Sequence, residues 1–338
     1  MKLSDYTYSQ LSSDSVGQLV VSKYDLPEVI DCKFYVLGLH DNYLIECKSK
    51  KYILRIYRSD WRSEQEIQFE LELLAFLGAE NMPVATPLST TTGELCSQID
   101  APEGKRIAAL FTYAEGHTPG KEITLEQSAL LGKVVANVHG ATEQFETTSS
   151  RQILDIPYLL DESIIAISQF LDAEAQNYLN TLQNRLVKEL PYLPQVGGAY
   201  GICIGDVNST NFHISNKNNI TLFDFDQCGY GYRAFEIGKF ISSIGSAKEK
   251  HQISKAFLEG YERVRKLSDD ELSAIPYYEL ISVIWVMAIH AYNVDRIGYK
   301  YLEKPFWDRK LAILRELDKQ LPNKQFNPDA AKSAAPVN

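Results

Sequence analysis

The chain has 338 residues, of which 45% are hydrophobic and 23% charged, and this is the composition of a globular protein with a large core. The net charge of −10 and the lack of a basic stripe exclude a nucleic-acid footprint and weakly favour cationic ligands. The five cysteines are scattered without a CxxC pair, which excludes a disulfide framework and a zinc site.

A reducing cytoplasm is the expected compartment for such cysteines. The first ten residues lack the apolar core of a signal peptide. The longest apolar run, 281–291, has about 11 residues, which is too short to span a bilayer. We therefore expect a cytoplasmic protein without a membrane partner.

The first third of the chain has the pattern of a sheet with one long helix inserted. After a short helix at 14–24, strand-like segments separated by turn residues are predicted at 29–37, 43–47, 52–57, 94–99 and 106–113. Ser63 and Glu66 form a capping box before apolar residues at helical spacing, so a helix is predicted from Ser63 to Leu77. Residues 1–112 are thus predicted to form an antiparallel-sheet lobe.

Helical periodicity dominates the rest of the chain and is interrupted by a stretch at 197–231 that is rich in Gly, Asn and Asp. One helix is predicted to begin at Thr124. Further helices are predicted over 173–190, 234–244, 248–265, 272–297 and 305–321. We therefore predict an α+β fold with a mainly helical second lobe at 113–321 and a polar tail at 322–338. A cleft between the two layers is expected to hold the ligand.

Three polar residues in the interrupting stretch have an informative spacing. Asn211 lies five residues after Asp206, and Asp224 lies eighteen residues after it. The segments 212–215 and 220–223 between them read as a tight hairpin, which would bring Asp224 back beside Asn211.

This arrangement suits phosphoryl transfer, which needs a positioned nucleophile and cations at the phosphates more than covalent work by the protein. Asp206 can orient an attacking hydroxyl or accept its proton, and Asn211 and Asp224 offer hard oxygen ligands that suit Mg²⁺. The alternative is that these residues only cap turns. Their order and spacing together favour catalysis.

The segment GDVNSTN resembles the HGDxxxxN catalytic loop of the aminoglycoside phosphotransferase and choline kinase-like superfamily, and LFDFDQCGYG resembles its metal-binding segment, IDFDDAGYG. The resemblance implies a bilobal protein-kinase-like fold that uses ATP and Mg²⁺. By it, Asp206 is the catalytic base, and Asn211 and Asp224 are Mg²⁺ ligands. Ile204 departs from the family, which usually has His there: either it is a tolerated packing substitution, or the enzyme is weakened or repurposed.

The nucleotide-binding half is assigned by the same resemblance, near the homoserine kinase and bacterial stress-response kinase branches. Arg55 stands where the family has a strand lysine that contacts phosphates, and Glu70 stands where a helix glutamate pairs with it. The alternative is that both are solvent-exposed charges. The turn from Gly38 to Asn42 falls where these families cover the phosphates, so Asn42 is assigned to the nucleotide, while His40 is expected to be exposed.

The function that these assignments imply is ATP- and Mg²⁺-dependent phosphorylation of a hydroxyl on a small molecule, such as an amino alcohol, an aminoglycoside or a homoserine-like acceptor. Aromatic residues at 285–307 could hold a cationic acceptor by cation–π contact, or they form a packing core. Two other functions stay open: a protein Ser/Thr kinase of the stress-response type, and a catalytically weakened nucleotide-binding module. The short connection after Asp224 favours a small-molecule acceptor. The sequence does not indicate the oligomeric state.

Overall fold

The computed structural model describes residues 7–119, 123–195, 198–244 and 249–321. The predicted polar tail at 322–338 lies outside these residues. The chain divides into two compact units, the first made of Met1–Asp155 and Pro194–Ser268, and the second of Ile156–Leu193 and Asp269–Asn338. The predicted lobe boundary at residue 112 falls inside the first unit, and the division into those two lobes stays a prediction.

The first unit contains a five-stranded antiparallel sheet in the order β1-β2-β3-β5-β4. Its strands are β1 (Val29–Leu37), β2 (Asp41–Cys47), β3 (Lys51–Ile56), β4 (Ser97–Ala101) and β5 (Gly104–Thr112). Helix α1 (Ser13–Lys23) buries Val16 and Val20 in one cluster with Leu54 and Leu110 of the sheet. All five predicted strands are present, and β4 begins three residues later than predicted.

Helix α2 (Glu64–Ala79) begins at the predicted capping box of Ser63 and Glu66. The segment that follows α2 connects two parts of the first unit. The amide of Leu88 donates to the carbonyl of Leu110 in β5 (2.7 Å), and the amide of Ala85 donates to the carbonyl of Leu222 (2.8 Å). This link therefore holds β5 of the sheet against the hairpin that follows the Asp206 loop.

The remaining elements of the first unit surround that loop. They are α3 (Leu125–Ala141), β6 (Tyr200–Cys203), β7 (Phe212–Ile214), β8 (Ile220–Leu222), β9 (Gly229–Tyr232), α6 (Arg233–Ile244) and α7 (Lys250–Glu262). The predicted hairpin is the β7–β8 pair. The pairing of β6 with β9 was not predicted, because each is a four-residue segment without a clear period-two pattern.

The second unit is helical in its described part. Its helices are α4 (Ser163–Ser168), α5 (Ala173–Glu189), α8 (Asp269–Tyr292), α9 (Val294–Ile297) and α10 (Lys304–Gln320). The predicted helix over 272–297 is therefore interrupted at Asn293, where α8 ends and α9 begins. Helix α8 is long and apolar enough to cross a membrane by length and composition, but 67% of its apolar stretch is buried inside the protein, as in a core helix.

The aromatic residues of the second unit are divided between core and surface. Trp285 and Trp307 are buried, whereas Tyr299 and Tyr301 are largely exposed. Trp307 stacks on Phe170 with ring centroids 5.1 Å apart, and its indole N–H donates to the carbonyl of Leu302. Packing accounts for the two tryptophans, and binding of a cationic acceptor by this region stays a prediction.

Candidate active site

Arg55 is the centre of a charge network in the first unit. Strand β3 carries it into the protein, where its Nη1 atom lies 3.0 Å from Oε1 of Glu70 on α2 and its Nη2 atom lies 3.1 Å from Oδ1 of Asp224. Glu70 is fully buried and also accepts a hydrogen bond from the hydroxyl of Tyr57 (3.1 Å). The structure thus brings together three of the predicted site residues. Along the chain, Glu70 is 15 positions and Asp224 is 169 positions from Arg55.

The electrostatics of this network follow from burial. Burial opposes the charge of Arg55, but Asp224 and Glu70 beside it raise the pKa of its guanidinium. Burial raises the pKa of Glu70, and Arg55 acts against that shift. Each charge therefore compensates the desolvation of the other, and the loss of either would leave a buried charge without its partner.

His40 lies in the turn before β2, and Asn42 lies in β2 beside Arg55. The side-chain carbonyl of Asn42 accepts a hydrogen bond from Nε of Arg55 (3.4 Å), and its amide donates to the carbonyl of His40 (3.3 Å). His40 was expected to be exposed, and this expectation is wrong: its side chain is 2% exposed. The reason is a buried acidic partner, Asp226, whose Oδ1 atom lies 2.9 Å from Nε2 of His40.

Asp226 is a second buried centre that the sequence did not reveal. Besides His40, it accepts hydrogen bonds from the indole N–H of Trp61 (2.8 Å) and from Nε of Arg62 (3.3 Å). Burial opposes its ionisation, but Arg62 and His40 hold the pKa of this carboxyl well below its usual range. The segment that carries Asp224 is thereby attached to the start of α2 and to the turn at His40.

The Asp206 loop begins at a glycine that no other residue could replace easily. Gly205 has φ +85°, and a Cβ atom there would lie 2.0 Å from the carbonyl oxygen of Gln227. The following residue, Asp206, has both carboxylate oxygens engaged. Its Oδ2 accepts from Nδ2 of Asn211 at 2.9 Å, and its Oδ1 lies 2.5 Å from Nζ of Lys239 on α6.

Helix α6 also holds the backbone of the loop. The amides of Ile204 and Gly205 donate to the carboxylate of Glu236, the latter at 3.0 Å. Burial raises the pKa of Glu236 to about 7, and these two amides act in the opposite direction. Glu236 therefore anchors the loop to α6, and the anchored segment includes Ile204, where the family usually has His.

His139 on α3 is a core histidine. It is fully buried, and burial lowers its pKa well below the ordinary value. Its Nδ1 atom lies 2.8 Å from the hydroxyl of Tyr261, and its Nε2 atom lies 3.4 Å from Glu236. Together with Cys203 these groups lie close enough to bind a cation, but hydrogen bonds already occupy His139 and Glu236, and burial keeps the Cys203 thiol protonated by raising its pKa.

A cavity of about 570 Å³ opens beside the predicted site residues. It is lined by Arg55, Asn211 and Asp224 together with Val36 and the segment Phe111–Ala114. A guanidinium, hard oxygen ligands and apolar side chains in one cavity are the groups that the phosphates and the ring of a nucleotide need.

The donor set fits a magnesium ion. Asp224 has the left-handed φ of 65°, its side chain is 43% exposed, and it lines the cavity. Asn211 uses its amide nitrogen for Asp206, so its side-chain oxygen is turned away from that residue. Two oxygen ligands from the protein are enough, because Mg²⁺ keeps several waters and binds substrate phosphates.

Comparison with known proteins agrees with this fold. The model of the phosphotransferase enzyme family (APH) matches residues 33–268. An uncharacterized protein of Synechocystis sp. (strain PCC 6803) is 36% identical over 312 residues, which cover 92% of this chain and 86% of that protein. A homoserine kinase of Paramagnetospirillum magneticum is 25% identical, over 80% of this chain and 82% of the relative.

Among solved structures, the amicoumacin kinase hAmiN in complex with AMP-PNP, Ca²⁺ and Ami has a TM-score of 0.75 at 18% identity, over 95% of this chain and 97% of that chain. The fold is therefore the α+β protein-kinase-like fold that was predicted. The chain belongs to the phosphotransferase enzyme family.

Proposed function

We propose that the protein transfers the γ-phosphoryl group of ATP to a hydroxyl of a small molecule in a Mg²⁺-dependent reaction. The observation that carries this proposal is the placement of Asp206 2.9 Å from Asn211 on one loop, with Asn211, Asp224 and Arg55 lining a single cavity. A turn-capping role alone would not require Asn211 and Asp224 to line one cavity with Arg55.

The chemistry assigns Asp206 as the base. The acceptor oxygen forms a bond to the γ-phosphorus while the bond from that phosphorus to the bridging oxygen of ADP breaks, and the hydroxyl proton passes to the carboxylate of Asp206 and then to water. Asn211 donates to Asp206 and so limits the rotation of its carboxylate. The 31% exposure of the Asp206 side chain leaves room for an acceptor.

The phosphates are assigned to Arg55 and Asn42, with Glu70 holding the guanidinium of Arg55 in place. Arginine keeps a permanent charge and can bind two phosphate oxygens at once. Asn211 and Asp224 would hold Mg²⁺, which neutralises charge on the phosphates during transfer.

The short connection after Asp224 favours one class of acceptor over another. Only residues 225–232 separate it from α6, and the last four of them form β9, which is paired with β6. This leaves no long segment on which a peptide could dock, and so it favours a small molecule over a protein substrate. The named relatives, a homoserine kinase and an amicoumacin kinase, support a hydroxylated amine as acceptor.

The test is ADP release from ATP and Mg²⁺ across a panel of amino alcohols, homoserine, aminoglycosides, sugars and a generic protein substrate. We expect a rise with one small-molecule class, and a loss of about 10²- to 10⁴-fold in Asp206→Asn, the range of general-base catalysis. The matched control is Asp25→Asn, since Asp25 is exposed.

Three outcomes would contradict the proposal in different ways. Undiminished turnover in Asp206→Asn would remove the base assignment. Phosphorylation of the protein substrate alone would favour the protein kinase alternative. Mg²⁺-dependent ATP binding without turnover on any acceptor would favour a weakened binding module, in which case Ile204→His would be the variant to compare.

A further inference from the structure

Lys239 is a buried lysine whose charged end meets the candidate base. It lies on α6 with only 3% of its surface exposed, and its Nζ atom is 2.5 Å from Oδ1 of Asp206. Within the described part of the chain, Asp206 is its one ion-pair partner. Sequence analysis did not single it out, because one lysine in an apolar helix has no distinguishing spacing.

The energetics of this pair argue against a purely structural role. Removing an ammonium group from water is costly, and an ion pair repays that cost only when its geometry and further hydrogen bonds are favourable. The partner carboxylate of Asp206 is 31% exposed and is therefore still partly solvated. An apolar side chain of similar volume would serve the fold at least as well, so the buried charge needs another explanation.

The geometry supplies that explanation. Glu236 and Lys239 are three residues apart on α6 and hence on the same face of the helix. Glu236 holds the loop backbone at Ile204 and Gly205, and Lys239 holds the side chain of Asp206. The loop itself, GDVNSTN, contains no lysine or arginine, so the cation beside the base comes from the helix.

The two carboxylate oxygens of Asp206 accept from side chains of two different elements. Oδ2 accepts from Asn211 within the loop, and Oδ1 accepts from Lys239 on the helix. A carboxylate bound at both oxygens cannot rotate about its last bond, and each oxygen still has a lone pair for the proton of an acceptor. The helix therefore determines the direction in which the base faces.

We propose that Lys239 is a positioning residue that orients the Asp206 carboxylate toward the acceptor hydroxyl. This inference rests on the proposed function, because it assumes that Asp206 receives the proton. Lys239 keeps its own proton throughout, and the proton of the acceptor moves to Asp206 and then to water.

The first test is Lys239→Met, which keeps the length of the side chain and removes its charge. We expect kcat to fall about 10²-fold, the loss that a misplaced catalytic group causes, and KM for ATP to change less than about threefold. Thermal stability should be unchanged or higher, because an apolar group then replaces a buried charge. Lys33→Met is the control, since Lys33 forms an exposed ion pair with Glu46 and should leave kcat unchanged.

The second test separates positioning from packing. Lys239→Arg keeps the positive charge and should recover kcat to within about tenfold of the original, as expected for a charge-assisted hydrogen bond. The double variant Asp206→Asn with Lys239→Met should lose no more activity than Asp206→Asn alone, because residues that act as a unit are not additive.

Full kcat in Lys239→Met, or additive losses in the double variant, would overturn the inference. Should Lys239→Met fail to fold, Lys239→Arg decides. A kcat within about tenfold of the original supports positioning, and a loss of about 10²-fold overturns it. Failure of the proposed function is distinguishable, because it would appear as undiminished turnover in Asp206→Asn. Loss of activity in Asp206→Asn with full activity in Lys239→Met would reject the role of Lys239 alone.

Discussion

The Nε2 atom of His40 lies 2.9 Å from Oδ1 of Asp226, and this contact connects the turn between β1 and β2 with the segment that carries Asp224. The backbone amide of Arg58 donates to Nδ1 of the same ring at 3.1 Å. Because Nδ1 must accept, the proton of the neutral ring is on Nε2, which donates to Asp226. The predicted phosphate-covering turn is thus attached to the predicted metal-binding segment through one imidazole.

We expect His40→Ala to raise KM for ATP about tenfold, with a smaller effect on kcat. Without the imidazole the turn loses its attachment to Asp226, whereas Asp226 itself keeps Trp61 and Arg62 as partners. Initial-rate kinetics with varied ATP, together with calorimetric titration of a nucleotide analogue, would measure the change. His251→Ala is the control, since His251 is exposed on α7. An unaltered KM in His40→Ala would show that the contact does not position the turn for nucleotide.

Arg55→Ala should both weaken nucleotide binding and destabilise the protein. Glu70 is fully buried, and removal of its cationic partner is expected to cost about 3 kcal/mol of unfolding free energy. Arg55→Lys should restore part of the affinity for ATP but not the whole network, because one ammonium group cannot reproduce the fork that reaches both Glu70 and Asp224.

Urea denaturation and ATP kinetics of these variants would be compared with those of Arg263→Ala, in which an exposed arginine is removed. If Arg55→Ala were as stable as this control, the charge compensation inferred for Glu70 would be wrong. If its KM for ATP were also unchanged, the alignment of β3 with the nucleotide-binding strand would have to be abandoned.

Gly205→Ala should be much more destabilising than Gly93→Ala, although both glycines have a positive φ. The Cβ atom at position 93 meets no atom within 4 Å, so that substitution carries only the backbone strain of about 1 kcal/mol. At position 205 the same strain is joined by a clash, because the Cβ atom would lie 2.0 Å from the carbonyl oxygen of Gln227, and the total should exceed about 3 kcal/mol. Equal midpoints of thermal unfolding in the two variants would contradict the tight approach of the loop to Gln227.

Glu236 should make stability fall as pH rises through the weakly acidic range. Burial raises its pKa from 4.5 to about 7, so the folded protein holds a proton there that the unfolded chain has released. This contribution is fully present below pH 4.5, decreases between pH 4.5 and 7, and is constant above that. Over this interval it amounts to about 3 kcal/mol.

Glu236→Gln cannot ionise and still offers an oxygen to the amides of Ile204 and Gly205, so its stability should vary less with pH than that of the original protein. Urea unfolding at a series of pH values would show the difference, with Glu259→Gln as the control because Glu259 is exposed. Parallel pH profiles for the original and the Glu236→Gln proteins would mean that Glu236 has an ordinary pKa.

Much of the architecture was accessible from local patterns. The capping boxes of Ser63 with Glu66 and of Thr124 with Gln127 were predicted and are present, because such motifs depend on residues three positions apart. The hairpin after Asn211 was predicted in the same way, from two short apolar segments around a turn. The main error among the helices is the one predicted over 272–297, which is interrupted at Asn293, just beyond the end of the apolar run at 281–291.

The sequence by itself determined the family, the kind of fold and the order and spacing of Asp206, Asn211 and Asp224, because these properties reside in contiguous segments whose periodicity and turn chemistry are local. Only the tertiary structure decided that His40 is buried against Asp226, 186 positions away, and that Lys239 faces Asp206. Each of these contacts joins side chains from different elements, and their approach depends on how whole strands and helices pack. The periodicity of the sequence does not reveal that packing, so the partners of the buried charges could be identified only from the tertiary structure.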